Sequence, residues 1–144
     1  MTSAVVLDTG ILGMVVHPRR GAAFNAWWEG ILASEAAVFI PEIADYELRR
    51  ELLLNGFVES IRHLDELETT LEYLPLTTET MRRAAELWAY ARRKGRPFAD
   101  PKMLDADVIL AAQAQQVNAI VVTDNVGHLG LFVESKPWEE VTMP

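Results

Sequence analysis

Residues 5–12 read VVLDTGIL: a short apolar run, Val5-Val6-Leu7, stops at Asp8 and Thr9 and breaks at Gly10. A buried parallel strand has this form when its carboxyl end delivers a charged side chain to the crevice above an open α/β sheet. A carboxylate at the margin of a core is costly unless a cation or a proton donor meets it. The rest of the chain has to supply that partner.

Moving outward, residues 11–17 can form a short helix before His17-Pro18, and Arg19-Arg20-Gly21 reads as a loop. Residues 22–34 have helical composition, with Phe24, Trp27, Trp28, Ile31 and Leu32 recurring at three- and four-residue steps. That period makes these aromatics core or interface residues rather than a base-stacking platform. Residues 37–40 form a second apolar run, closed by Pro41, which suits the first position of a helix running to Asn55-Gly56. A helix is expected over 57–70 and a weak strand over 73–76, because Pro75 cannot donate to a central ladder. Thr77-Thr78-Glu79 opens a helix that ends at Lys94-Gly95, and 95–102 reads as a loop with two prolines. Residues 104–116 are an Ala-rich helix, 119–122 a further buried strand ending in Thr123-Asp124-Asn125, and 131–133 a possible last strand. Strands alternating with helices at this pace predict one three-layer α/β/α domain over residues 1–144, with a central parallel sheet of four or five strands.

The 144 residues suffice for one hydrophobic core, and half of them are hydrophobic. No apolar run approaches the roughly 20 residues that span a bilayer, and the first residues lack a signal-peptide pattern. With no Cys, disulfides, thiolate catalysis and Cys-ligated zinc are excluded, and a cytoplasmic protein is the expectation. The net charge of −8 opposes binding a polyanion through bulk electrostatics. Yet Arg82, Arg83, Arg92, Arg93, Lys94, Arg96 and Lys102 crowd one short segment. It is either a solvated helix face with a loop or a phosphate-contacting patch.

Four acidic signals fall where such a fold gathers side chains. Asp8 follows the first strand. Glu47 lies in PEIADYELRREL, where it either joins an inward stripe with Ile43, Tyr46, Arg50 and Leu54 or flanks that stripe and pairs with Arg50. Asp45 and Glu51 read as helix-surface residues. In LDADVILAA, Asp105 and Asp107 sit near a helix start, where a single carboxylate would serve as a cap. Two of them, preceded by Asp100, exceed what a cap requires, and Asp107 falls near the junction of core and crevice. In VVTDN a strand again ends in polar residues, which a turn alone would also favour. Three or four like charges in one place do not all stay ionised without a cation. A hard divalent ion, Mg²⁺ or Mn²⁺, suits carboxylate oxygens and lets an acidic protein approach an anionic substrate.

LDTGIL, PEIADYEL, LDADVILAA and VVTDN, in that order and spacing, resemble the four acidic signatures of the PIN domain family, and the chain length resembles its VapC-like toxin branch. The likeness covers essentially the whole chain. It implies a metal-dependent endoribonuclease, the toxin of a toxin–antitoxin pair, using Mg²⁺ or Mn²⁺. By motif match, Asp8, Glu47 and Asp107 take the three acidic positions, and Thr123 the strand-end hydroxyl. The fourth acid falls to Asp124, adjacent to the Thr, or to Asn125, where the family's acid commonly stands. Thr9 and Asp105 take supporting places. The first motif usually reads Asp-Thr-Asn, and Gly10 stands here instead. The resemblance further implies an RNA substrate, a small antitoxin covering the acidic crevice, and a homodimer. Trp27 and Trp28, or the helix with Trp88, are the candidate contact surfaces. Arg92, Arg93, Lys94, Arg96 and Lys102 would guide the RNA backbone. A second reading, a PIN-fold module that binds RNA or protein without turnover, follows from Gly10 and the place of the fourth acid.

Other chemistries fit less well. A phosphoacceptor domain needs a Lys after a late strand, and none follows VVTDN before Lys136. An aspartate-nucleophile phosphatase needs an acid where Gly10 stands. His17, His63 and His128 are too scattered for a zinc site and read as loop or surface residues. No nucleophile-elbow motif supports Ser/His/Asp hydrolysis.

Overall fold

The apolar run at residues 4–7 is short, β-branched and flanked by polar residues, and it forms the central strand of a five-stranded parallel sheet. The computed structural model describes residues 4–94, 101–124, 129, 130 and 132–142, except the side chains of 101–104. In chain order the strands are β1 (Ala4–Leu7), β2 (Ala37–Pro41), β3 (Glu72–Leu74), β4 (Ile120–Val122) and β5 (Ser135–Lys136). They are arranged β3-β2-β1-β4-β5, every neighbouring pair parallel. The helices are α1 (Thr9–Val16), α2 (Ala22–Ala33), α3 (Glu42–Asn55), α4 (Val58–Thr70), α5 (Thr78–Arg93) and α6 (Pro101–Gln116), with a short 3-10 helix at Trp138–Glu140.

The two-residue period of β1 divides the core. Val5 and Leu7 pack with Leu12, Trp28, Leu48 and Leu64 from the layer of α1 to α4. Val6 points the other way, to Leu110 and Ala114 of α6 and Val121 of β4. Helix α5 packs on α6, with Ala84 and Leu87 against Val108, Ala111 and Ala112. The expected three-layer α/β/α arrangement is therefore present, with five strands.

Several boundaries differ from expectation for local reasons. Pro41 does not open α3 from its first position; it is the last residue of β2 and the N-cap of α3. The helix stops as expected at Gly56, whose φ of +68° is a left-handed conformation that a side chain would strain. Helix α6 begins at Pro101, so Asp105 and Asp107 lie beyond its capping turn. The last strand is Ser135–Lys136, whereas Phe132 and Val133 lie in the preceding turn, where both amides donate to the Leu129 carbonyl. Leu131 lies outside the described residues.

The inward face of α3 is also rotated from expectation. Tyr46 is 57% and Leu54 85% exposed, and the buried positions are Ile43, Ala44, Asp45, Leu48 and Leu52. Leu48 seats against α1, where a Cβ on Gly13 would lie 3.5 Å from its Cδ1. Asp45, expected at the surface, is buried because Arg49 Nε donates to it at 3.0 Å and the Tyr73 hydroxyl at 2.8 Å. Arg49 also bonds Asp65 and Glu68 of α4 at 2.8 and 2.7 Å. Partial burial works against the Arg49 charge, yet the three carboxylates together raise its pKa above the ordinary value. Burial and the neighbouring Asp45 push the Tyr73 phenol up as well.

The aromatic residues of α2 serve the interior. Trp28 is buried, Trp27 Nε1 donates to the Val141 carbonyl at 2.9 Å, and Phe24 meets Trp138 edge-on at 5.2 Å. They hold the carboxyl-terminal segment, with Trp28 buried and Trp27 partly buried.

One buried polar side chain joins three elements. Gln113 of α6 is fully enclosed; its Oε1 accepts from Ile43 N at 3.2 Å and its Nε2 donates to the Leu74 carbonyl at 2.7 Å. Ile43 N is an unpaired donor of the first turn of α3, where Pro41 offers no capping side chain. Replacing Gln113 by Leu strands both groups, and the expected loss is about 2–4 kcal/mol. Urea unfolding measures it, and an unchanged midpoint would contradict the clamp. Gln113→Glu is expected not to rescue, since it sets a carboxylate oxygen against the Leu74 carbonyl.

Candidate functional site

The register of β1 with β4 builds the site. Leu7 pairs with Val122, and the Asp8 amide donates to the Val122 carbonyl at 3.0 Å, so Asp8 and Thr123 leave the sheet side by side. The Thr123 hydroxyl donates to Asp8 Oδ2 at 2.5 Å. Asp8 is also the N-cap of α1, its Oδ1 accepting from Thr9 N at 2.7 Å. One carboxylate thus holds two elements together.

Thr9 extends the arrangement to α3. Its hydroxyl donates to Glu47 Oε1 at 2.8 Å, while Glu47 Oε2 lies 4.0 Å from Arg50 Nη2. Glu47 flanks the buried stripe of α3, a quarter exposed, and faces Arg50, rather than joining an inward stripe with Tyr46 and Leu54, which are exposed. On the other flank Asp124 is exposed, and a Cβ on Gly10 would lie 3.8 Å from its Oδ2. A side chain at position 10 would therefore begin in ordinary contact with the Asp124 carboxylate.

Burial pushes the Asp8 carboxyl above the ordinary aspartate range. The Thr123 hydroxyl and the Thr9 amide pull it down, and the charge of Asp124 pushes it further up. Two acids at one strand edge repel, and a cation between them would reverse the balance.

Asp107 approaches from the opposite layer. It precedes Leu110 and Ala114 by three and seven residues, so it continues the stripe of α6 that faces Val6 and Val121. Its Oδ2 is shut off from solvent. Gln113 marks the level of the strand ends, and α6 runs on from there toward the start of β4. Asp107 lies six residues earlier, toward the start of α6. Asp105 is exposed and turned toward α5, where it lines a groove with Met81, Ala84 and Trp88. It is not gathered with the other acids. Asn125 lies outside the described residues.

The donor set consists of oxygens alone, which fits Mg²⁺ or Mn²⁺ and excludes a soft-ligand site. Among the described residues no three His, Asp or Glu side chains stand close enough to form a ready-made metal cluster. In this arrangement Asp8 is engaged by Thr9 and Thr123, and one Glu47 oxygen by Thr9.

The basic residues are only partly described. Arg92 lies over the Trp88 ring, 4.7 Å from its centroid, and Lys94 over Tyr90 at 5.5 Å. Arg93 lines a hollow with Tyr90 and Phe132. Arg96 and the side chain of Lys102 lie outside the described residues. His17 is exposed, and His63 Nδ1 lies 3.1 Å from the Val16 carbonyl oxygen, away from the acids; His128 is not described. Sequence reasoning missed Gln113, whose signal was an amide inside an otherwise apolar stripe, and the Asp45–Arg49 link, whose signal was the i,i+4 spacing of the pair on α3.

A family model described as PIN domain matches residues 5–128. The chain is 25% identical over 129 residues to Toxin FitB of Neisseria gonorrhoeae, spanning 85% of this chain and 88% of that protein. Among solved structures, VapBC2 of Rickettsia felis bound to a promoter DNA fragment is similar with a TM-score of 0.76 at 20% identity, covering 94% of this chain and 98% of that one. FitAcB of Neisseria gonorrhoeae gives a TM-score of 0.71 at 24% identity, covering 95% and 99%. These structural likenesses speak for the fold.

The raised pKa of Asp8 has a measurable consequence. A carboxylate raised in the folded state favours the fold below its ordinary value, and that contribution is lost as pH rises through the raised one. In metal-free buffer the Tm of Asp8→Asn is therefore expected to gain on that of the native protein as pH rises above about 4, the ordinary aspartate value. Thermal melts of both proteins across that range check it, and a pH-independent difference would count against the assignment.

Proposed function

This chain belongs to the PIN domain family, and we propose that it is a Mg²⁺- or Mn²⁺-dependent endoribonuclease, the toxin of a toxin–antitoxin pair. The observation that carries the proposal is the partly buried Asp8, held by Thr9 and Thr123 and raised in pKa beside Asp124. Asp8, Glu47, Asp107 and Asp124 would hold one or two ions. When bound, such an ion acidifies a water and offsets charge that builds on the attacked phosphate.

The chain's own residues supply position and proton transfer. The Thr123 hydroxyl and Thr9 amide fix both Asp8 oxygens. The Thr9 hydroxyl fixes one oxygen of Glu47 and leaves the other toward Arg50. A carboxylate of this set accepts the proton of the water that attacks the phosphodiester in line. The basic end of α5, with Arg96 and Lys102, would guide the RNA backbone toward the acids. Gly10 favours the second reading, a binding module without turnover, because it leaves the approach to Asp124 without a side chain.

The similarity to VapBC2 and FitAcB supports an antitoxin partner for this chain. Trp28 is buried and Trp27 partly buried, but Leu53, Leu54, Phe57 and Val58 are all exposed at the α3–α4 corner. We assign protein contacts to this corner, since adjoining exposed apolar side chains mark interaction surfaces. Among the described residues no helix is long and apolar enough to cross a membrane.

The purified protein is expected to cut mixed RNA in Mn²⁺ and to stop in EDTA. Asp8→Asn is expected to reduce cleavage by more than about 100-fold while retaining the native circular dichroism spectrum. Cleavage by a folded Asp8→Asn protein at the native rate would sink the nuclease assignment, and EDTA-resistant cleavage would sink the metal. A separate check concerns assembly. The isolated protein is expected to have twice the chain mass in light scattering, and a monomer would contradict the homodimer.

A further inference from the structure

Arg19 and Arg20 carry charge that neither the core nor the acidic edge uses. Both are exposed in a chain of net charge −8, and neither has a carboxylate partner among the described residues. Arg20 Nη1 donates instead to Asn25 Oδ1 at 3.0 Å, a neutral oxygen that orients the guanidinium without cancelling its charge. The Arg19 amide donates to His17 Nδ1 at 3.0 Å, which ties the loop to the residue that closes α1.

These residues border a surface hollow of about 370 Å³, lined also by Gly10, Met14 and Phe24. That size falls within the range of small-ligand pockets, roughly 300–1,000 Å³. Its lining changes character along α1. Phe24 belongs to the core and Met14 packs against it, so both offer apolar surface. From Gly10 to His17 is about 10 Å along the helix axis, and the two arginines stand at the far end. At the near end a Cβ on Gly10 would lie 3.8 Å from Asp124 Oδ2. The hollow therefore begins beside the acids and ends at two guanidinium groups without a counter-charge.

From this arrangement we propose that the hollow along α1 is a nucleotide subsite, which recognises the nucleotide next to the one cut. Its base lies on Met14 and Phe24, its phosphate meets Arg19 and Arg20, and the neighbouring phosphodiester of the same strand reaches the acidic edge. The inference rests on the ribonuclease reading and adds a site on a segment to which that reading assigns no role. A polarisable, flexible thioether adapts to a planar aromatic ring. Guanidinium forks match phosphate oxygens in geometry and charge. An acidic peptide fits less well, because it would set further carboxylates beside Asp124.

The test reads the hollow apart from cleavage. The native chain, labelled with ¹⁵N-glycine, is titrated in EDTA with adenosine 5′-monophosphate, ribose 5-phosphate, inorganic phosphate and a tetra-aspartate peptide. The nucleotide is expected to move the amide signals of Gly10, Gly13 and Gly21, which line the hollow, with a millimolar Kd, and to leave those of Gly30 and Gly56 in place. Ribose 5-phosphate and inorganic phosphate are expected to bind at least about tenfold more weakly, since they bring no base to the apolar surface. Arg19→Gln combined with Arg20→Gln should weaken nucleotide binding about tenfold. The same double variant should raise the KM for RNA cleavage in Mn²⁺ by a similar factor with little change in kcat. Signals that stay in place, signals that phosphate alone moves as tightly, or unchanged binding by the folded double variant overturn the inference. So does a tetra-aspartate peptide that matches the nucleotide, which makes the hollow a peptide site. Nucleotide binding here without Mn²⁺-dependent cleavage would sustain the site while ending the nuclease reading. Cleavage whose KM is indifferent to the double variant would do the reverse.

Discussion

Across two neighbouring parallel strands, the Thr123 hydroxyl donates to Asp8 while the Thr9 amide closes on the other oxygen of the same carboxylate. Remove this pair of bonds and the end of β1, the start of α1 and the end of β4 lose their common anchor. The carboxylate is held where burial and Asp124 both oppose its charge. The hydrogen bonds offset that opposition in part, and what remains is the electrostatic demand that a divalent cation would meet. Structural anchor and proposed ligand are the same side chain, so the site inherits the rigidity of the central strand.

Around that anchor the layers are registered by polar contacts that apolar packing alone would not specify. Thr9 sets the position of Glu47 on α3, and Gln113 ties α6 to the first turn of the same helix. The Asp45–Arg49 group then fixes α3 against α4 and β3. Slippage of α3 by one residue would turn every side chain on it by about 100° and take Glu47 off the edge. The buried polar atoms therefore restrict the choice among packings of comparable hydrophobic burial.

Charge and exposed apolar surface are distributed unevenly over the outside. Asp8 and Asp124 stand at the carboxyl edge with Glu47 tied to Asp8 through Thr9, cations and rings share the end of α5, and the exposed apolar side chains of Leu53, Leu54, Phe57 and Val58 occupy the α3–α4 corner. Among the described residues the cations at the end of α5 have no carboxylate partner, so an acidic chain keeps a local basic patch there. The corner lies on other elements and leaves that arrangement unobstructed.

Much of the architecture was legible in the chain because hydrophobic period and turn residues are local signals. The runs at 5–7, 37–40 and 119–122 read as buried strands, Gly56 as a stop, and Thr77 as a helix start, and each needs only its neighbours in sequence. The ends of β1 and β4 were legible too, since neighbouring parallel strands deliver Asp8 and Thr123 to one edge of the sheet. The rotation of α3 was not, because Tyr46 and Leu54 fit a helical stripe as well as Leu48 and Leu52 do, and contact with α1 decides between them. Nor was the burial of Asp45, which depends on Arg49 and on Tyr73, 28 residues away. The aromatics of α2 declared themselves core or interface by period, and only the return of the chain at Trp138 and Val141 made them core. The sequence by itself determined which elements form and which carries each acid. Tertiary structure decided which face of each helix turns inward and which polar groups meet, because those outcomes depend on atoms brought together from distant parts of the chain.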